Sequence, residues 1–153
     1  MTDSIEQQSN IKFIQQVIQA FNERDMAALE QSVAPGFLRH DLSGAFLVKY
    51  TGSSEVTNFL QALFAAFPDI VLEVKDMIAS GDRVVIRYQF KGTHTGELFG
   101  TAATGRKVAF DGINIYRLKD KKVAEVWQLW DWAKVMDQIG VLNWHQSKPD
   151  PEK

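Results

Sequence analysis

An imidazole beside a carboxylate, His40-Asp41, is the pair in this sequence best placed to move a proton. Histidine titrates near neutrality, and a carboxylate can take a proton from carbon next to a carbonyl. The alternative is a solvated turn in which Asp41 caps backbone amides. His94 stands between Thr93 and Thr95, where it can line a site, donate to a ligand carbonyl or act as a base. Its glycine and threonine neighbours favour a structural role, with the ring bonding loop backbone and holding residues 92–106 in place. Asp131 is expected to cap a helix, and Asp111 to pair with Arg106 or Lys107. Gly100 to Lys107 reads G-x-x-x-x-G-R-K, close to a phosphate-binding loop. No Ser or Thr follows, and no helix is there to receive a phosphate. His40, His94 and His145 have no metal-ligand spacing, and cysteine is absent, so no metal is expected.

The elements that must position these groups follow from periodicity. Ile11, Ile14, Ile18 and Phe21 mark one face of a first helix. Asp25 caps a second through Met26, Leu29 and Val33, which Pro35-Gly36 ends. The third spans Ser54 to Phe67 and stops at Pro68. The period then changes to two. Strands are predicted over Ile70–Ile78, Arg83–Lys91, Lys107–Leu118 and Val123–Asp131, with a last helix from Ala133 to Ile139. Helices first and consecutive strands afterwards mean an α+β domain, with helices on one face of a single sheet. One domain over 9–144 is expected, with frayed ends at 1–8 and 145–153.

The net charge of −2 and sequence pI near 5.9 give a nucleic acid nothing to grip. No apolar run approaches the ~20 residues of a membrane span. The start, MTDSIEQQSN, lacks the basic-then-apolar pattern of a secretory signal. The expected setting is the cytoplasm, and the expected partner a small molecule.

The stretches GTHTGELFG (92–100), TGR (104–106) and the final hairpin with Asp131 and Gly140 resemble the SnoaL-like polyketide cyclase family. QAFNERD (19–25) and VAPGFLRHD (33–41) fit the same pattern, and the likeness spans about Ile11 to Gly140. The resemblance implies the nuclear transport factor 2-like fold. Three N-terminal helices then pack on one strongly curved antiparallel sheet, forming a cone with a central pocket. It also implies cofactor-free chemistry on a carbonyl compound, by an acid/base group and donors to an oxyanion. The family's acid/base aspartate falls on Gln128 and its pocket histidine on Asn114, and neither amide titrates. In the related ketosteroid isomerases a base aspartate stands where Asp41 does. Asp41, His40 or His94 is thus the candidate base, with Asn114 and Gln128 as donors. The alternative is a non-catalytic binding or carrier protein.

A three-residue turn with a bulge near Lys119–Lys122 would put Gly112, Asn114 and Tyr116 on one face with Val126, Gln128 and Trp130. A two-residue turn would set Asn114 against Trp127 and turn Gln128 outward. The bulged form is preferred because it gives the pocket two amides. Phe21, Phe59, Tyr88, Tyr116 and Trp130 are the aromatic candidates for its wall. The opposite face then carries Ile113, Ile115, Trp127 and Leu129, apolar enough to suggest a homodimer.

Overall fold

The computed structural model describes residues 2–44 and 50–142. The predicted tail 145–153 lies outside them. The helices are α1 (Thr2–Glu23), α2 (Met26–Gln31), α3 (Ser53–Ala66) and α4 (Trp132–Gln138). The strands are β1 (Val33–Asp41), β2 (Tyr50–Thr51), β3 (Val71–Ser80), β4 (Arg83–Thr93), β5 (Lys107–Lys119) and β6 (Lys122–Trp130). Five long strands and the two-residue β2 form one open sheet in the order β2-β1-β6-β5-β4-β3. This is the expected α+β cone. One pair departs from the antiparallel rule, since β1 runs parallel to β6.

α1 buries Ile14 and Phe21 against the sheet, as the spacing predicts. It starts at Thr2 rather than near residue 9, because Glu6, Gln7 and Gln8 are good helix formers and extend it without needing a buried face. Arg24, at positive φ, ends the helix, and the Asp25 carboxylate caps α2 by accepting from the Ala28 N–H at 3.0 Å. α2 then stops at Gln31, short of the predicted Pro35-Gly36. Val33, Phe37 and Arg39 are buried on one side of β1, a strand period that the helix reading overlooked. Pro35 has no N–H for a ladder, and pairing with β6 slips between Val33 and Leu38.

On β4, Val84, Ile86, Tyr88 and Phe90 alternate inward and are fully buried or nearly so. Each large apolar side chain so buried contributes roughly 1.5–3 kcal/mol of transfer free energy. Register slips in β3 between Val74 and Asp76, and in the β5–β6 pair between Arg117 and Leu118. Such bulges bend and twist strands, and here they curl the sheet over the helices.

The β5–β6 hairpin corrects the predicted turn while keeping the preferred face. Lys119 pairs with Lys122 across a two-residue turn, Asp120-Lys121, both at positive φ. The extra residue lies further down, where Leu118 faces Val123 and Arg117 faces Glu125, leaving Ala124 unpaired. That bulge restores the register, so Asn114 opposes Gln128 and Gly112 opposes Trp130.

Candidate functional site

The inward face of the sheet and α1, α2 and α3 enclose a cavity of about 120 Å³. Phe21, Leu29, Phe37, Phe59 and Phe90 supply much of its apolar wall. Arg39, Asn114, Tyr116 and Gln128 bring polar groups to it. Trp130 also lines it, and its indole N–H is buried without a hydrogen bond of normal geometry.

These polar groups form two short chains. The Arg39 Nε–H donates to Gln128 Oε1 at 2.7 Å. The guanidinium lies 4.4 Å from the Phe59 ring centre and 6.0 Å from that of Trp130. Arg39 is only 6% exposed, so its charge acts in a low-dielectric wall. In the second chain, Tyr88 O–H donates to Asn114 Oδ1 at 2.8 Å, and Asn114 Nδ2 donates to the Tyr116 oxygen at 2.8 Å. Gly112 makes this possible, since a Cβ there would sit 2.6 Å from the Tyr88 ring. Burial pushes the Tyr116 phenol up to about 12, opposed by the bond from Asn114. It pushes Tyr88 well above the usual phenol value, helped by Tyr116 and opposed by Gln128, Trp130 and Arg39. Both phenols therefore keep their protons near neutrality.

Of the residues singled out from sequence, Asn114, Gln128, Phe21, Phe59, Tyr116 and Trp130 meet at this cavity. Tyr88 stands behind Asn114 as its hydrogen-bond partner and is fully buried. His40 is elsewhere. Strand alternation turns it to the outer face, where it stacks on Trp127 with ring centres 5.2 Å apart and bonds Glu125 at 2.7 Å. His94 is fully buried outside the cavity wall, against the Phe67 ring. Its Nδ1 lies 2.9 Å from Thr104 Oγ1, while its backbone bonds Arg106 and Gly105. Burial lowers its pKa, opposed by the Gly96 backbone, so this ring is a neutral pin for the 94–106 loop.

Asp41 sits on the last residue of β1, in register with Gln128 and on the same side as Phe37 and Arg39. Its Oδ1 accepts from the Ser43 amide at 2.9 Å and from the Ser43 hydroxyl. Its Oδ2 is buried with no hydrogen-bond partner among the described residues. Asp131 caps α4 as expected, accepting from the Lys134 N–H at 3.1 Å. Asp111 pairs with Lys134, not with Arg106 or Lys107, because the α4 side chain reaches back over the hairpin. Arg106 instead reaches the Gln138 carbonyl at the end of α4.

Arg39 is the polar cavity residue that the sequence pattern left unnoticed. Its signal was the alternation Phe37, Arg39, Asp41, which becomes legible once residues 33–41 are read as a strand. Among the described residues no group of three His, Asp or Glu converges on one point. None of the described helices is long and apolar enough to cross a membrane.

Comparison with known proteins agrees with this geometry. The family model for SnoaL-like polyketide cyclases matches residues 12–139. AclR of Streptomyces galilaeus, a proposed hydroxylase, superposes with a TM-score of 0.80 at 25% identity, covering 90% of this chain and 99% of that one. IdmH of Streptomyces antibioticus, a proposed polyketide cyclase, gives 0.75 at 27% identity, over 86% and 98% of the two chains. A SnoaL-like protein of Jannaschia sp. CCS1 shares the fold with a TM-score of 0.80 at 20% identity, over 90% and 95%. No curated protein matches the sequence.

Proposed function

We propose, on the premise that the chain belongs to the SnoaL-like polyketide cyclase family, that it binds a small, largely apolar organic molecule in the cavity. The observation that carries this is the wall itself. Apolar side chains from helices and sheet surround Arg39, Gln128, Asn114 and Tyr116, so an oily ligand would find polar contacts on one side. Ring closure of the family's kind needs a group that takes a proton from carbon. Asn114 and Gln128 hold the two positions where the resemblance puts that machinery, and amides cannot do it. Binding is therefore the first reading, with the carrier role as its simplest form.

A second reading makes the protein a cofactor-free isomerase or aldol cyclase; it draws on the buried Oδ2 of Asp41, which stands beside Gln128 in the sheet rather than on the cavity wall itself. The carboxylate would take an α-proton from a carbonyl compound, and the C–H electron pair would move to the enolate oxygen. Donors of the Arg39–Gln128 and Asn114–Tyr116 chains would stabilise that oxygen, and the proton would return to another carbon. The exposed Ile113 (43%) and Leu129 (46%) beside Trp127 and Ile115 support a homodimer through the outer sheet face. The lack of cysteine suits the reducing cytoplasm.

The test is a thermal-stability and turnover panel of β-keto esters and Δ5-ketosteroids. Concentration-dependent stabilisation without turnover is the expected result, worth about 2.7 kcal/mol at a hundredfold excess over Kd. Turnover lost in Asp41→Asn, with stabilisation kept, would establish the second reading. Failure of every compound to stabilise the protein would remove both.

A further inference from the structure

The cavity wall holds charge of one sign. Among the described residues that line it, Arg39 alone is ionic, and no aspartate or glutamate is with it. A guanidinium keeps its proton at any pH at which a protein stays folded. This one is 6% exposed and lies on the inward side of β1, after Phe37. Its Nε–H goes to Gln128 Oε1 at 2.7 Å, an acceptor without charge. The ring centres of Phe59 and Trp130 lie 4.4 Å and 6.0 Å from it. Contact with a ring face uses up none of the N–H groups of a guanidinium. Asp41, two residues further along β1, turns Oδ1 to the Ser43 amide and hydroxyl and is absent from the wall. The other polar side chains of the wall, among them Asn114, Tyr116 and Gln128, are neutral. Salt screens a charge in such surroundings poorly, so the cavity carries a positive potential.

Resting on the reading that this cavity binds a small molecule, we infer that its ligand is an organic monoanion, an apolar body with one carboxylate or enolate group turned to the Arg39 guanidinium. A carboxylate matches the planar guanidinium with charge-assisted bonds, which are shorter and stronger than those of a neutral carbonyl. Arg39 loses its water when the chain folds, so entry of the ligand removes only the hydration of the anion. One charge in the wall suits one charge on the ligand. A dianion would bring an excess that no lining residue meets, and a cation of the same shape is repelled. Arg39 is a binding residue in this scheme, and it moves no proton.

Three planar naphthalenes of nearly one shape separate charge from fit: 2-naphthoate, the neutral 2-acetylnaphthalene and the cationic naphthalene-2-carboxamidine. Their affinities for the full-length protein are measured by calorimetry at neutral pH. The carboxylate is expected to bind at least about tenfold more tightly than the ketone, the worth of one hydrogen bond to a charged group. The amidine should bind more weakly than either. Arg39→Met keeps most of the bulk and removes the charge, so it should lose the preference for carboxylate while holding the ketone within about twofold. Arg39→Lys keeps the charge without the planar fork and should retain part of the preference. Raising salt about tenfold should change the wild-type preference by less than about threefold, because a buried pair is little screened. Equal binding of carboxylate and ketone, or an amidine bound as tightly as either, overturns the inference while the pocket reading stands. So does a preference that survives in folded Arg39→Met, or one that salt removes, which would place the anion on surface lysines. Should Arg39→Met not fold, the wild-type probe series and its salt dependence still decide. Binding of none of the three removes the pocket reading and the inference together.

Discussion

β1, β4, β5 and β6 carry polar clusters on both faces of the same sheet, and the two behave oppositely. Inside, Arg39 bonds Gln128, and Asn114 links Tyr88 to Tyr116, in a largely buried setting. Outside, at alternate positions of the same strands, Glu125 receives both His40 and Arg117, while Arg83 lies 5.0 Å above the Trp127 ring. The outer groups remain partly open to water, His40 at 30% and Glu125 at 16%. A charge in water is screened and replaceable, whereas a buried donor must be met. The inner cluster is therefore the one able to hold a ligand in a set orientation. The outer one adjusts the surface.

That contrast can be broken at either face. The largest effect is expected from Gln128→Leu, which removes the acceptor of the buried Arg39 Nε–H. Unfolding by urea should show a loss of about 3 kcal/mol. A stability close to wild type would mean that the guanidinium finds another acceptor at no cost. Gly112→Ala comes next, because its Cβ must displace the Tyr88 ring. It should cost about 1–3 kcal/mol and loosen Asn114, visible as a faster-exchanging side-chain amide. Alkaline titration sharpens the comparison. The folded-state pKa of Tyr116 is raised from 10.0 to about 12. Its stabilising contribution is thus complete below pH 10.0 and declines as pH rises through about 12. Phenolate absorbance from Tyr116 should appear late and together with unfolding, an alkaline onset that Tyr116→Phe delays.

Smallest is Glu125→Gln on the outer face, expected to cost less than about 1 kcal/mol at pH 7, and less still in high salt. The bonds from His40 and Arg117 lower the Glu125 pKa from its usual 4.5. Its contribution is therefore present above pH 4.5 and fades as pH falls through the lower folded value. The gap between wild type and Glu125→Gln should close in acid. A gap that persists there would assign the effect to packing rather than charge.

The helices α1 and α3 and the strands β4 to β6 were readable because burial of one face leaves a clear period. Asn114 and Gln128 were found through a resemblance, and their shared face through an argument about register whose turn was wrong. The sequence reading placed the bulge in the turn. In the structure two left-handed residues, Asp120 and Lys121, make the turn, and Ala124 makes the bulge. Aspartate tolerates the left-handed region, but lysine does not favour it and alanine announces no bulge. β1 was lost because Met26, Leu29 and Val33 also satisfy a helical spacing, and Pro35-Gly36 reads as its end. With β1 lost, Arg39 went unseen and His40 seemed free to face a pocket. Parallel pairing with β6 joins residues far apart in the chain, and no local pattern encodes it.

The account stands most directly on which tryptophan senses a ligand. Trp130 lines the cavity and Trp127 lies on the outer face, three residues apart on one strand. In ¹⁵N-labelled protein titrated with 2-acetylnaphthalene, the Trp130 indole N–H should shift saturably while that of Trp127 stays in place. A saturable shift of Trp127 with Trp130 unmoved would put the ligand on the wrong face and contradict the account.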